Sequence, residues 1–169
     1  MKKLIRIWVL LSVFFLIPCF SFSGVIDSKG NLYEVVNYYY DGPYYIVKID
    51  GISGSKILMW VLGDDPEVGV NAVRIYLSPK DDVFVLYYQM TYLGDWRGSN
   101  DEWILSKLNT ARGALDWSRQ IEASYDNIDV YFDKQGNIYL VGFGNCFYAG
   151  KFNRKTGKPI WEGCVDIGE

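Results

Sequence analysis

Two stretches of this chain, Asp27-Ser28-Lys29-Gly30-Asn31-Leu32-Tyr33 and Asp133-Lys134-Gln135-Gly136-Asn137-Ile138-Tyr139, are copies of one another. A looser copy, Ser78-Pro79-Lys80-Asp81-Asp82-Val83-Phe84, lies between them. An Asp at the start of a tight turn bonds backbone groups two residues on, and Gly in the fourth place accepts a positive φ. The pattern therefore predicts a hairpin corner that opens into an aromatic-bearing strand, three times over.

A second marker follows each first one. Lys48-Ile49-Asp50-Gly51-Ile52-Ser53-Gly54 leads to Trp60, Lys107-Leu108-Asn109-Thr110-Ala111-Arg112-Gly113 to Trp117, and Lys151-Phe152-Asn153-Arg154-Lys155-Thr156-Gly157 to Trp161. In each, an Asp or Asn stands four residues before a Gly, the chemistry of a longer hairpin loop. Each Trp then falls on the outgoing strand, where a large ring packs against a neighbouring sheet. The repeat elements Gly54, Gly113, Gly157, Trp60, Trp117 and Trp161 are accordingly structural.

Strand-like runs fill the intervals: Val73 to Leu77, Val83 to Tyr88, Ile104 to Leu108, Ile128 to Phe132 and Ile138 to Val141. The chain divides into three four-stranded units at about 24–62, 70–121 and 127–165. One antiparallel sheet per 40 to 50 residues is the signature of a β-propeller blade. The expected fold is all-β, an incomplete propeller of about three blades behind an N-terminal signal helix.

At these residues the chain resembles two propeller repeats. The Asp/Asn-x-x-Ser/Thr-Gly…Trp marker is similar to the PQQ-like, quinoprotein-type repeat. The Asp-x-x-Gly-Asn-Ile/Leu-Tyr marker is similar to bacterial repeats of the SBBP type. Ser53 and Arg112 stand where the PQQ-like pattern has Thr, and the Gly54-to-Trp60 interval is two residues longer than its counterparts. The quinoprotein resemblance implies a ring of eight blades, a vicinal Cys-Cys disulfide, a metal and a catalytic Asp beside the quinone. This chain has no adjacent cysteines, and three blades do not enclose a cofactor.

Composition narrows the chemistry. Half of the 169 residues are hydrophobic and 17% are aromatic, which suits pleated surfaces. There is no histidine, which excludes Ser-His-Asp and Cys-His catalysis, His-ligated metals and a His-based pH switch. Acidic stretches at Asp64-Asp65-Pro66-Glu67 and Asn100-Asp101-Glu102 lack the spacing that wraps a calcium ion, so neither a metal nor a cofactor is assigned.

Residues 1–23 read as a secretory signal. Lys2, Lys3 and Arg6 precede an apolar run from Ile7 to Ile17, and small residues alternate at Ser21 and Ser23 before Gly24. An uncleaved anchor is the rival, although the run is short for a span. Leu16-Ile17-Pro18-Cys19 has the Leu and Cys of a lipobox, making lipidation at Cys19 a third possibility, but Pro18 stands where that motif wants a small residue. Without residues 1–23 the chain carries 14 Lys and Arg against 20 Asp and Glu. That excess of acid and the lack of a basic cluster argue against nucleic acid. The expected location is periplasmic or extracellular. Cys146 and Cys164 then remain, an even count that suggests a disulfide. The turn between Asn153 and Gly157 places them directly opposite one another if paired positions sum to about 310.

One rim of such a fan gathers the long connections. They contribute Tyr39 and Tyr40, and the segment containing Tyr92, Asp95, Trp96 and Arg97. Aromatic faces beside carboxylates stack on sugars or receive a peptide, so these six residues are the candidate ligand site, with Trp96 foremost. The resulting expectation is an exported binding or scaffold module for a protein or glycan, with self-association as a way to complete the ring. A quinoprotein dehydrogenase fragment and an outer-membrane assembly lipoprotein are the alternatives.

Overall fold

The computed structural model describes residues 24–37, 43–63, 65, 67–92, 99–121, 125–144 and 146–165. They form twelve strands and, among the described residues, no helix. The first sheet contains β1 (Val25–Ile26), β2 (Leu32–Asn37), β3 (Tyr44–Ile49) and β4 (Lys56–Leu62). The second contains β5 (Val68–Leu77), β6 (Val83–Tyr92), β7 (Ser99–Asn109) and β8 (Ala114–Ile121). The third contains β9 (Tyr125–Phe132), β10 (Ile138–Gly144), β11 (Phe147–Phe152) and β12 (Pro159–Val165). Each sheet is an antiparallel meander in chain order. The signal and lipobox segment falls outside the described residues.

The turn chemistry explains the corners. Asp27 Oδ1 accepts from the Lys29 and Asn31 amides at 3.0 and 2.9 Å. Asp133 Oδ1 accepts in the same way from Gln135 and Asn137 at 3.0 and 2.8 Å. Gly30 and Gly136 share a φ of 82°, a left-handed conformation open to glycine without steric cost. In the middle copy Ser78 replaces the acid and its hydroxyl accepts from Lys80 and Asp82. Asp81 holds the glycine place there at φ 59°, a region that Asp enters more readily than most side chains.

Two apolar layers hold the sheets together. Tyr33, Ile46 and Trp60 of the first sheet meet Val83, Val85 and Ile104 of the second. Phe84, Leu86 and Leu105, on the opposite face of the second sheet, meet Ile138, Leu140 and Phe152 of the third. Successive residues of a strand point to opposite faces. A strand covered on both sides must therefore be apolar at every position, and Val83 through Leu86 are all 0% exposed. This is why β6 reads as an unbroken apolar run, whereas β8, at the far edge of its sheet, alternates.

The third sheet differs in register from the sequence expectation. Tyr148 pairs with Cys164 and Phe147 with Val165, and a bulge interrupts the ladder between Lys151 and Phe152. The loop is also wider than a five-residue turn, closing from the Asn153 amide to the Lys158 carbonyl. Together these shift the pairing by two positions, so Cys146 lies diagonally across from Cys164 rather than directly opposite. The two are disulfide-bonded with a Cα–Cα separation of 5.9 Å, within the reach of such a bridge. A structural disulfide of this kind belongs to a non-cytoplasmic compartment. Among the described residues no helix is long and apolar enough to cross a membrane.

Candidate functional site

The ends of the sheets are oriented by contacts between turns. The Ser28 amide and hydroxyl both donate to the carboxylate of Asp81. Asp82 receives Arg154 at 2.6 Å and Lys107 at 2.8 Å. The β1–β2, β5–β6 and β11–β12 turns therefore share one rim, and the middle turn ties the outer two together. Asp82 occupies the position of Asn31 and Asn137, whose side chains are spent within their own turns. Ser78 does not reach that far, which leaves Asp82 free to bridge between sheets.

The β2–β3 and β6–β7 connections, at the far ends of these strands, form the opposite rim. Tyr39, Tyr40, Asp95, Trp96 and Arg97 lie outside the described residues. Tyr92 closes β6 with its backbone opposite Ser99. Of the acidic stretches, Asp65 accepts the Glu67 amide in a local turn. Among the described residues no three His, Cys, Asp or Glu side chains are grouped to hold a metal ion.

The third sheet leaves aromatic side chains open to water. From the first sheet to the second, the Trp60 indole donates to the Ala114 carbonyl at 2.9 Å, and Lys48 to the Thr110 carbonyl at 3.4 Å. From the second to the third, the Trp117 indole donates to the Arg154 carbonyl at 3.3 Å. Each Trp thus docks at the hairpin between the last two strands of the following sheet, Trp60 where β8 begins and Trp117 on the β11–β12 loop. Trp161 has the same place on β12, with no following sheet among the described residues, and it is 49% exposed, against 3% for Trp60. Tyr131 and Phe143 are also exposed large hydrophobics of this sheet.

Charge on the described surface is mostly committed. Lys151 pairs with Asp133 at 3.4 Å and lies 5.0 Å above the Tyr139 ring. Hydrogen bonds from the Asn137 side chain and backbone, with the Lys151 cation beside it, hold the Asp133 carboxyl down at about 2. Burial pushes the Tyr33 hydroxyl up, and the neighbouring Asp27 charge adds to it. Burial likewise raises Glu34, on the opposite face of β2 from Tyr33. The exposed Trp161 face was not legible as such from sequence, where it looked like the buried Trp60 and the partly buried Trp117. The signal was its place in the last of three repeats. Comparison of this chain with family models, curated proteins and solved structures found no match.

Proposed function

We propose that this chain is a three-bladed portion of a β-propeller, exported by the segment 1–23, that serves as a binding or scaffold module for a protein or glycan. The observation that carries the reading is the recurring dock of a strand-four Trp on the next sheet's last hairpin. A contact that repeats from unit to unit is what a rotationally related set of blades uses. The likeness to PQQ-like and SBBP-type repeats supports the same architecture, and architecture alone assigns no chemistry. The disulfide in the third sheet is in keeping with export.

The ligand site in this reading is the rim of long connections, with Trp96 as the stacking surface and Tyr39, Tyr40, Tyr92, Asp95 and Arg97 around it. Sugar binding rests on aromatic stacking beside polar groups, and a loop held by a rigid scaffold supplies both. The test is a titration of the exported chain against a defined panel of soluble glycans and extended peptides, followed by intrinsic fluorescence. Trp96→Ala should weaken binding by about tenfold or more while leaving the unfolding midpoint in place. Equal affinity in the variant removes the site. Dye reduction on adding PQQ, calcium and an alcohol overturns the non-enzymatic reading.

A further inference from the structure

We propose that two copies of this chain join head to tail, the open face of the third sheet of each seated on the open face of the first sheet of the other, closing one six-sheet ring. The inference rests on the propeller reading and names a partner for it.

Both halves of the joint are present on the one chain. The forward-looking half carries a ring on the second strand, a Lys on the third and a Trp on the fourth. In the first sheet these are Tyr33, Lys48 and Trp60, with the two rings 6.4 Å apart and Lys48 5.5 Å above Tyr33. In the third sheet they are Tyr139, Lys151 and Trp161, again with the rings 6.4 Å apart and with Lys151 5.0 Å above Tyr139. The third sheet therefore spaces these side chains as the docked first sheet does, with the rings inclined at 67° against 37°, while half of Trp161 is open to water.

The receiving half is on the first sheet. A Cβ added at Gly113 would meet Leu58 at 3.5 Å, and one at Gly157 would meet the Trp117 ring at 2.7 Å, because a preceding sheet covers both loops. Gly54 has the same backbone, with φ 69° against 68° and 67°, and nothing lies within 4 Å. Beside it Leu32, Val36 and Ile49 stand at the repeat positions of Val83, Tyr87 and Leu108, all buried against the preceding sheet. Ile57, Met59 and Val61 of β4 are exposed, so the apolar character of this face continues to its edge.

A second copy fits these halves in charge as well as in shape. Within the chain, Arg119 of the second sheet pairs with Glu162 of the third at 3.0 Å. The corresponding positions at the joint are Gly163 and Val61. The Asp82–Arg154 pair corresponds there to Asn137 and Gly51. At these two places, where the described second and third sheets share an ion pair, the joint brings two uncharged residues together, so docking strands no partner charge there. Glu34 is the exception, standing where Val85 and Leu140 are fully buried. Three blades fall short of the four to eight that close a ring, and two such fans meet that number through two identical heterologous contacts.

The test is the mass in solution of the exported full chain, by light scattering and native mass spectrometry over a range of concentrations. The expected result is twice the mass of one chain. Trp161→Ala on one face and, on the other, Val47→Arg, at the β3 position paired with Glu34 and Met59, should each raise the dissociation constant by about 30-fold or more. Glu34→Leu should lower it, which keeps the idea testable even if a disruptive variant folds poorly. A monomer at every concentration overturns the proposal, as does an assembly that grows without closing. Loss of dimer in Trp161→Ala but not in Val47→Arg indicates paired third sheets and also overturns it. A solved structure of the monomeric Trp161→Ala chain separates the failures. Three sheets fanned about a common axis leave the propeller reading standing, and any other arrangement removes it.

Discussion

Trp161 stands 6.4 Å from Tyr139, ring centre to ring centre, the separation that Trp60 keeps from Tyr33. The two pairs differ in cover: Trp60 is buried beneath the second sheet, and Trp161 looks outward. Equivalent positions in a repeat thus carry very different energies. Truncating a buried aromatic costs about 3–5 kcal/mol through lost transfer energy and the cavity left behind. Trp60→Ala should therefore lower the stability of the fold by that amount in urea denaturation. Trp161→Ala should cost less than about 1 kcal/mol under conditions where the chain is monomeric. Similar losses for both would mean that Trp161 is covered within a single chain.

Asp82 joins two cations from two different elements, Lys107 and Arg154, with side chains 12% and 30% exposed. Removing one member of a partly buried network leaves the others uncompensated. Asp82→Ala should destabilise by about 2 kcal/mol, between the values typical of surface and buried pairs. Adding Lys107→Met should recover part of the loss, because without Asp82 that cation keeps only Asp116, at 3.7 Å. A double-mutant cycle measures the coupling, and strictly additive losses would argue that Asp82 and Lys107 act independently.

The Asp133 turn supplies a pH signature. Its carboxyl is held at about 2, below its ordinary value of 3.8, by Asn137 and Lys151. A depressed carboxylate contributes stability that is fully present above the unfolded pKa and is lost as pH falls through the folded one. The contribution of this turn should thus fade between about pH 4 and pH 2. Asp133→Asn should flatten the acid limb of a thermal-melt profile in that window and leave the slope above pH 5 unchanged. An unaltered acid limb would show that the ion pair and the turn do not set acid stability.

The disulfide closes a loop of 18 residues in sequence separation. Chain-entropy reasoning puts such a cross-link at about 3 kcal/mol. Cys146→Ser combined with Cys164→Ser should lower the urea midpoint accordingly, without changing the strand content seen by circular dichroism. Thiol titration of the denatured, non-reduced chain without residues 1–23 should find no free thiol. Two free thiols would remove the bridge.

Much of this fold was readable because its signals are local. Asp27 and Asp133 declare their turns through side chain-to-backbone bonds made within four residues, and Gly30 and Gly136 fix the corner. Their strands follow by alternation. Asp81 and Asp82 were harder to read, because what they do depends on Ser28, Lys107 and Arg154, which are far away in sequence. The cysteine pair was legible and its register was not, since the bulge after Lys151 leaves no mark in composition. Trp161 shows the deeper limit. A repeat motif reports the face a residue presents, but whether another sheet covers that face depends on how many copies are assembled. The candidate ligand rim was legible only as residue chemistry, and Trp96 with most of its companions lies outside the described residues.

β6 has no side that tolerates water, with Val83 and Val85 turned one way and Phe84 and Leu86 the other. A growing polypeptide that has made only its first two repeats can shelter one flank of that ribbon, and the other stays adhesive until β9 to β12 arrive. Synthesis therefore passes through an interval in which the half-made product is prone to clump. Removing the last repeat genetically should make that exposure permanent and leave an aggregation-prone product.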